Sequence, residues 1–104
     1  MKSKMKSWLH IKSWRYAVPP DFNVHIIISE HPMRNSKGRV LYSRFYVSAE
    51  SWHITSGRWH YVANSTKGGN KTFNEAFDKA LLMWEGVSKV KKPGNLNPLI
   101  SVPD

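Results

Sequence analysis

The chain has no cysteine. That excludes disulfides, thiolate zinc sites and cysteine nucleophiles, and it fits a cytoplasmic protein. Acidic residues are scarce: seven Asp and Glu face sixteen Lys and Arg, a formal net charge of +9 over 104 residues. No apolar run approaches the roughly 20 residues that span a bilayer, so no membrane partner is expected. The N-terminus is basic at Lys2, Lys4 and Lys6, but the stretch that follows, Trp8-Leu9-His10-Ile11-Lys12, is too short and too polar for a secretory signal. A phosphate-binding glycine loop is missing, because Gly68-Gly69 lacks the Gly-Lys-Ser/Thr ending. Among the five histidines there is no His-x-x-x-His spacing on a helix. Zinc held without cysteine calls for three His or carboxylate groups converging on one point. Neither a metal nor any other cofactor is expected, and no motif names a reaction.

What remains is positive charge set among aromatic residues. A chain of this length holds one domain with one core, and 40% apolar composition can build it. The basic residues are not confined to a tail. Arg39, Arg44 and Arg58 lie in the most strand-like stretches, among Tyr42, Phe45, Tyr46, Trp52, Trp59 and Tyr61. Cations and flat rings on one surface suit a phosphate backbone with bases beside it, because charge binds phosphate and rings stack.

The organisation falls into a basic aromatic segment at 1–20, a single domain at 21–94 and an irregular tail at 95–104. Residues 1–17 fit either a helix or a strand: Met5, Trp8, Leu9 and Lys12 have helical spacing, while Leu9 and Ile11 alternate. Pro19-Pro20-Asp21 is a break. Val24-His25-Ile26-Ile27-Ile28 reads as a buried strand that His31-Pro32 ends, and Asn35-Ser36-Lys37-Gly38 reads as a turn. Arg39 to Ser48 is the clearest strand. Leu41, Phe45 and Val47 face the core, while Val40, Tyr42, Arg44 and Tyr46 face the other way. Ala49-Glu50-Ser51 reads as a turn. In Trp52–Asn64, Gly57 is either a bulge or, with Ser56, a hairpin turn dividing two strands. Ser65 to Asn70 is a loop.

Thr72-Phe73-Asn74-Glu75 matches a capping box, in which hydroxyl and carboxylate satisfy free amides at a helix start. Phe73, Ala76, Phe77, Ala80, Leu81, Trp84 and Val87 then share one face at steps of three and four. Gly86 either ends this helix or is tolerated within it, and Lys89, Lys91 and Lys92 suit a helix C-terminus. The expected fold is α+β: a small antiparallel sheet of three to four strands with one C-terminal amphipathic helix packed on one face. The other face, with Tyr42, Arg44, Tyr46 and part of the Trp52–Asn64 set, is left open.

The stretch Arg58-Trp59-His60-Tyr61-Val62-Ala63-Asn64-Ser65-Thr66-Lys67-Gly68-Gly69-Asn70-Lys71-Thr72-Phe73, with the helix to Trp84, covers under a third of the chain. Its basic aromatic strand, glycine-containing turn, Lys-Thr-Phe and acidic-capped helix resemble the AP2-like N-terminal DNA-binding domain of tyrosine recombinases. That resemblance implies a three-stranded sheet, a C-terminal helix and a sheet face that enters the major groove. The order is also similar to the C-terminal half of double-stranded-RNA-binding domains.

The first functional expectation is a non-catalytic nucleic-acid-binding protein, with DNA ahead of RNA. Its contact residues are Arg39, Tyr42, Arg44, Tyr46, Arg58, His60, Lys67 and Lys71, with Lys4 and Lys6 as a basic arm along phosphates. Trp52 and Trp59 are left open between core and surface. The second expectation is a small phage-type or mobile-element inhibitor or adaptor that docks on a protein, such as a nucleic-acid-processing complex, since aromatic and Arg-rich surfaces make protein hot spots. The third is a metal-independent ribonuclease toxin, drawing acid, base and phosphate clamp from His60, Arg58, Arg44, Glu50 and Tyr46.

Overall fold

The computed structural model describes residues 12–20, 22–64, 69–88 and 98–103. These residues form strands β1 (Lys12–Ala17), β2 (Val24–Arg34), β3 (Val40–His53) and β4 (Arg58–Asn64), helix α1 (Phe73–Ser88) and strand β5 (Ile100–Val102). The strands make one sheet in the order β4-β3-β2-β1-β5, and each neighbouring pair is antiparallel. The α+β expectation is met, but the sheet has five strands rather than three to four. The two additions come from outside the stretch read as the domain. Residues 12–17, ambiguous in sequence, pair with β2, and the tail read as irregular supplies β5 against β1.

Alternation assigns the two faces. Ile26, Ile28, Val47 and Ala49 point to α1 and are buried, together with Val18, Leu99, Ala76, Ala80 and Trp84. Burying an Ile or Val side chain stabilises by roughly 1.5–3 kcal/mol, so this cluster dominates the fold. Ala76 and Ala80 have no bulk and let α1 lie close to the sheet. Phe73 and Phe77 reach over to Trp14 and Tyr16, with ring centroids 4.8 Å and 5.5 Å apart. Trp84 is 3% exposed, and its indole N–H donates to the Pro19 carbonyl at 2.9 Å, which satisfies the one polar atom it buries.

The helix starts as the capping box requires. The Glu75 amide donates to Thr72 Oγ1 at 3.1 Å, and Glu75 Oε1 accepts from the Lys71 amide at 3.0 Å. The carboxylate thus reaches one residue further back than the simplest form of the motif. Gly86 lies inside the helix, which continues to Ser88. Lys89, Lys91 and Lys92 lie outside the described residues.

Several boundaries differ from the sequence reading. Pro32 does not end β2, which runs on to Arg34 with Pro32 opposite Ser43. The described part of β1 stops at Lys12, opposite Glu30, so Pro32 sits where β2 is paired on one side, a position that tolerates a missing N–H. Ala49-Glu50-Ser51 is not a turn. Strand β3 is continuous there, and a bulge in its pairing with β4 absorbs the irregularity. Of the two readings of Gly57, the hairpin turn holds. Ile54–Gly57 link β3 to β4, and the Gly57 amide donates to the His53 carbonyl at 2.8 Å. Leu41 is not core: it is 60% exposed, because the outer end of the β2–β3 hairpin runs past the helix.

Candidate functional site

The sheet face away from α1 is built by register. Ile26 and Ile28 face the helix, so His25, Ile27, Ser29, His31 and Met33 face away from it. Opposite them on β3 stand Glu50, Ser48, Tyr46, Arg44 and Tyr42. Strand β1 adds Ser13 and Arg15, paired with Ser29 and Ile27. The open face has a cluster at each end, with serines and the buried Ile27 between them.

At one end Arg15 is the hub. Its Nη2 donates to Glu50 Oε1 at 3.1 Å, and its Nη1 lies 3.1 Å from His25 Nδ1. A guanidinium can only donate, so Nδ1 accepts and the proton of neutral His25 sits on Nε2. The His25 ring stacks on Trp59 at 4.1 Å, and the Arg15 guanidinium lies 5.5 Å from the Trp59 ring centre. Trp52 meets Trp59 edge-on at 5.5 Å. Burial, then the Arg15 charge, hold the His25 pKa below its ordinary value, with Glu50 opposing. Trp52 and Trp59 therefore belong to the open face. Reading the sequence alone missed Arg15, His25 and Trp59 as a group, because only the strand register brings residues 15, 25, 50 and 59 together.

At the other end, Tyr42 is 57% exposed and Arg44 is half-buried. Tyr42, Ser43, Arg44 and Lys71 line an open concavity of about 300 Å³ at the edge of β3. The chain returns to this edge at Asn70, whose amide and carbonyl pair with those of Phe45. That bridge carries Lys71 from the start of α1 to the side of Arg44. Tyr46 is less available than its sequence position implied. His31 meets its ring edge-on at 4.6 Å, and Gly69 closes over it. A Cβ at residue 69 would stand 2.9 Å from Tyr46 Cζ, and the positive φ of 79° there also favours glycine.

Not all of the expected contact residues share this face. Trp59 faces the open side, so Arg58 and His60 face the other. Arg58 stands opposite His53, and His60 stacks on His53 at 4.0 Å and bonds Ser56 Oγ through Nε2 at 2.8 Å. The bulge and hairpin geometry set this phase, and the sequence does not show it. Arg39 is exposed at the β2–β3 turn. Lys4, Lys6 and Lys67 lie outside the described residues. The residues named for a ribonuclease are not gathered: His60 and Arg58 are on one face, Arg44, Tyr46 and Glu50 on the other, and Glu50 binds Arg15 instead. Among the described residues, no three His, Asp or Glu side chains converge as a metal site would need. Among the same residues no helix is long and apolar enough to cross a membrane.

The carboxylates are divided unevenly between the faces, while basic residues stand on both. Glu75, Asp78 and Glu85 are on α1, and Glu30, opposite Phe45, shares the helix side. Among the described residues, Glu50 is the carboxylate of the open face, and Arg15 neutralises it. Comparison with protein families, characterised proteins and solved structures finds no match for this chain.

Proposed function

We propose that this protein is a small, non-catalytic nucleic-acid-binding protein of the cytoplasm that uses the open face of its sheet. The placement of the carboxylates carries this reading. The described carboxylates lie on the helix side, apart from Glu50, which is already paired, while Arg44, Lys71 and the exposed Tyr42 line one concavity at the β3 edge beside the open face. A polyanion approaching that face meets cations and rings without an unpaired carboxylate to repel it. The AP2-like resemblance implies the same use of the sheet.

A salt series tests the proposal. Binding to nucleic acid at low salt is expected to weaken linearly in log K against log salt. The slope should be about −4 to −5 on duplex DNA if about five phosphates are neutralised. Absence of binding at low salt would reject it. One observation favours docking on a protein as a second reading: Ile54, Tyr61 and Val62 are exposed around the β3–β4 hairpin, with Ile54 at 85%. Under that reading, free nucleic acid binds weakly and the hairpin carries the contact.

A further inference from the structure

Beyond Glu30 and Phe45, strands β2 and β3 have, among the described residues, only each other as sheet partners. They continue as a two-stranded arm for about five more residues, or about 15 Å, to the turn at Asn35–Arg39. The arm is unusual in two respects. Val40, Leu41 and Tyr42 are all exposed, at 45%, 60% and 57%. A bulge at Leu41 pairs Tyr42 with Met33 but Val40 with Arg34, so that, against the plain alternation read from sequence, Val40 and Tyr42 lie on opposite sides. An apolar residue open to water on each side of a strand pair contributes little to a core, so folding does not account for it. The second respect is charge. From His31 to Ala49 the sequence has no Asp or Glu, while Arg34, Lys37, Arg39 and Arg44 lie within it.

The tip is also held in shape. Asn35 Oδ1 accepts from the amides of Lys37 and Arg39 at 2.9 Å and 3.0 Å, and Arg34 Nη1 donates to the Gly38 carbonyl at 2.8 Å. Gly38 has φ of 84°, which closes the turn without a Cβ clash. Lys37 and Arg39 contribute backbone amides to this bracing and leave their side chains exposed. A fixed tip backbone lowers the ordering cost of presenting its cations on binding.

We propose that this arm enters the major groove of B-form duplex DNA, with Lys37 and Arg39 on phosphates and the exposed apolar side chains of one side of the arm toward the base edges. The inference rests on the nucleic-acid reading above and names the ligand and the element. Size selects the arm. The five-stranded body is about 19 Å across its strand axes, whereas the groove is about 12 Å wide and admits a two-stranded ribbon. Apolar side chains at base edges fit thymine methyl groups. The major groove of A-form RNA is too narrow for such an element. None of these residues lies in the Arg58–Trp84 stretch that carries the family resemblance.

The test compares a mixed-sequence duplex DNA with its single strand, at fixed low salt, for the wild type and for the Lys37→Glu, Arg39→Glu double variant. Wild type should bind the duplex more tightly and protect guanine N7, a major-groove atom, from dimethyl sulfate. The double variant should keep its melting temperature, because both side chains are exposed. It should lose at least about tenfold in duplex affinity, with a salt slope shallower by about 2. Unchanged affinity and slope in the double variant, or a single strand bound more tightly than the duplex, would overturn the arm and leave the open-face reading standing. Absence of wild-type binding to either DNA would remove both.

Discussion

Neighbouring residues of β3 serve opposite sides of the molecule. Phe45, Val47 and Ala49 meet α1 and the rings of Trp14 and Phe73. Arg44, Tyr46 and Glu50 meet His31, the Gly69 loop and the Arg15 cluster, at or near solvent. The helix side is held by apolar area, which is non-directional and tolerates no vacancy. The open side is held by a guanidinium shared among a carboxylate, an imidazole and an indole, a directional arrangement that keeps polar groups in place at a surface. Strand alternation therefore separates the two kinds of contact at a spacing of one residue, and substitutions can address either side alone.

The largest effect belongs to the helix side. Trp84→Ala should destabilise by about 3–5 kcal/mol in urea melts, since it empties a core site and strands the Pro19 carbonyl. A melt within error of the wild type would mean that the helix side is not the stabilising one.

Next comes the adjacent pair on β3. Phe45→Ala should cost about 2–4 kcal/mol of stability, less than a fully buried ring because Phe45 is half-buried, and the folded fraction should bind nucleic acid normally. Arg44→Ala should weaken nucleic-acid binding by about 1–3 kcal/mol and cost much less in folding. If Arg44→Ala lowers the melting temperature while affinity holds, the open face at this point is structural.

The smallest effect is a pH dependence on the open side. Burial and Arg15 depress the His25 pKa in the folded protein, and unfolding returns it to about 6.5. Between the folded value and about 6.5 the unfolded chain binds more protons, so stability is full above that range and falls as pH drops through it. The melting temperature should decline from about pH 7 to about pH 5 in the wild type, and a His25→Gln variant should show less of this decline. Equal pH profiles would place the protonation cost elsewhere.

The sequence made the helix side legible and the open side only in part. Helical spacing from Phe73 to Val87 and the Thr72–Glu75 cap need no tertiary information, and both appear in the structure. The Tyr42-Arg44-Tyr46 alternation located one end of the open face for the same reason. The Arg15–His25–Glu50–Trp59 cluster was not legible, because it depends on the register of β1 through β4. Which members of the Trp52–Asn64 set reach the open face is not legible either, since a bulge at Ala49/Glu50 and a four-residue turn set the phase of β4 and turn Arg58 and His60 away from it. Leu41 kept a core pattern in sequence, but a pattern cannot show that the helix stops short of it.

The central claim is that the open face and its arm are the recognition surface. Mapping NMR shift changes on titration with a short DNA duplex at low salt tests it most directly. The account predicts that the changes concentrate from Lys37 to Tyr46 and at Lys71, with α1 beyond its first turn unmoved. Changes centred on the outward side of α1, at Asp78, Leu82 and Glu85, would contradict it.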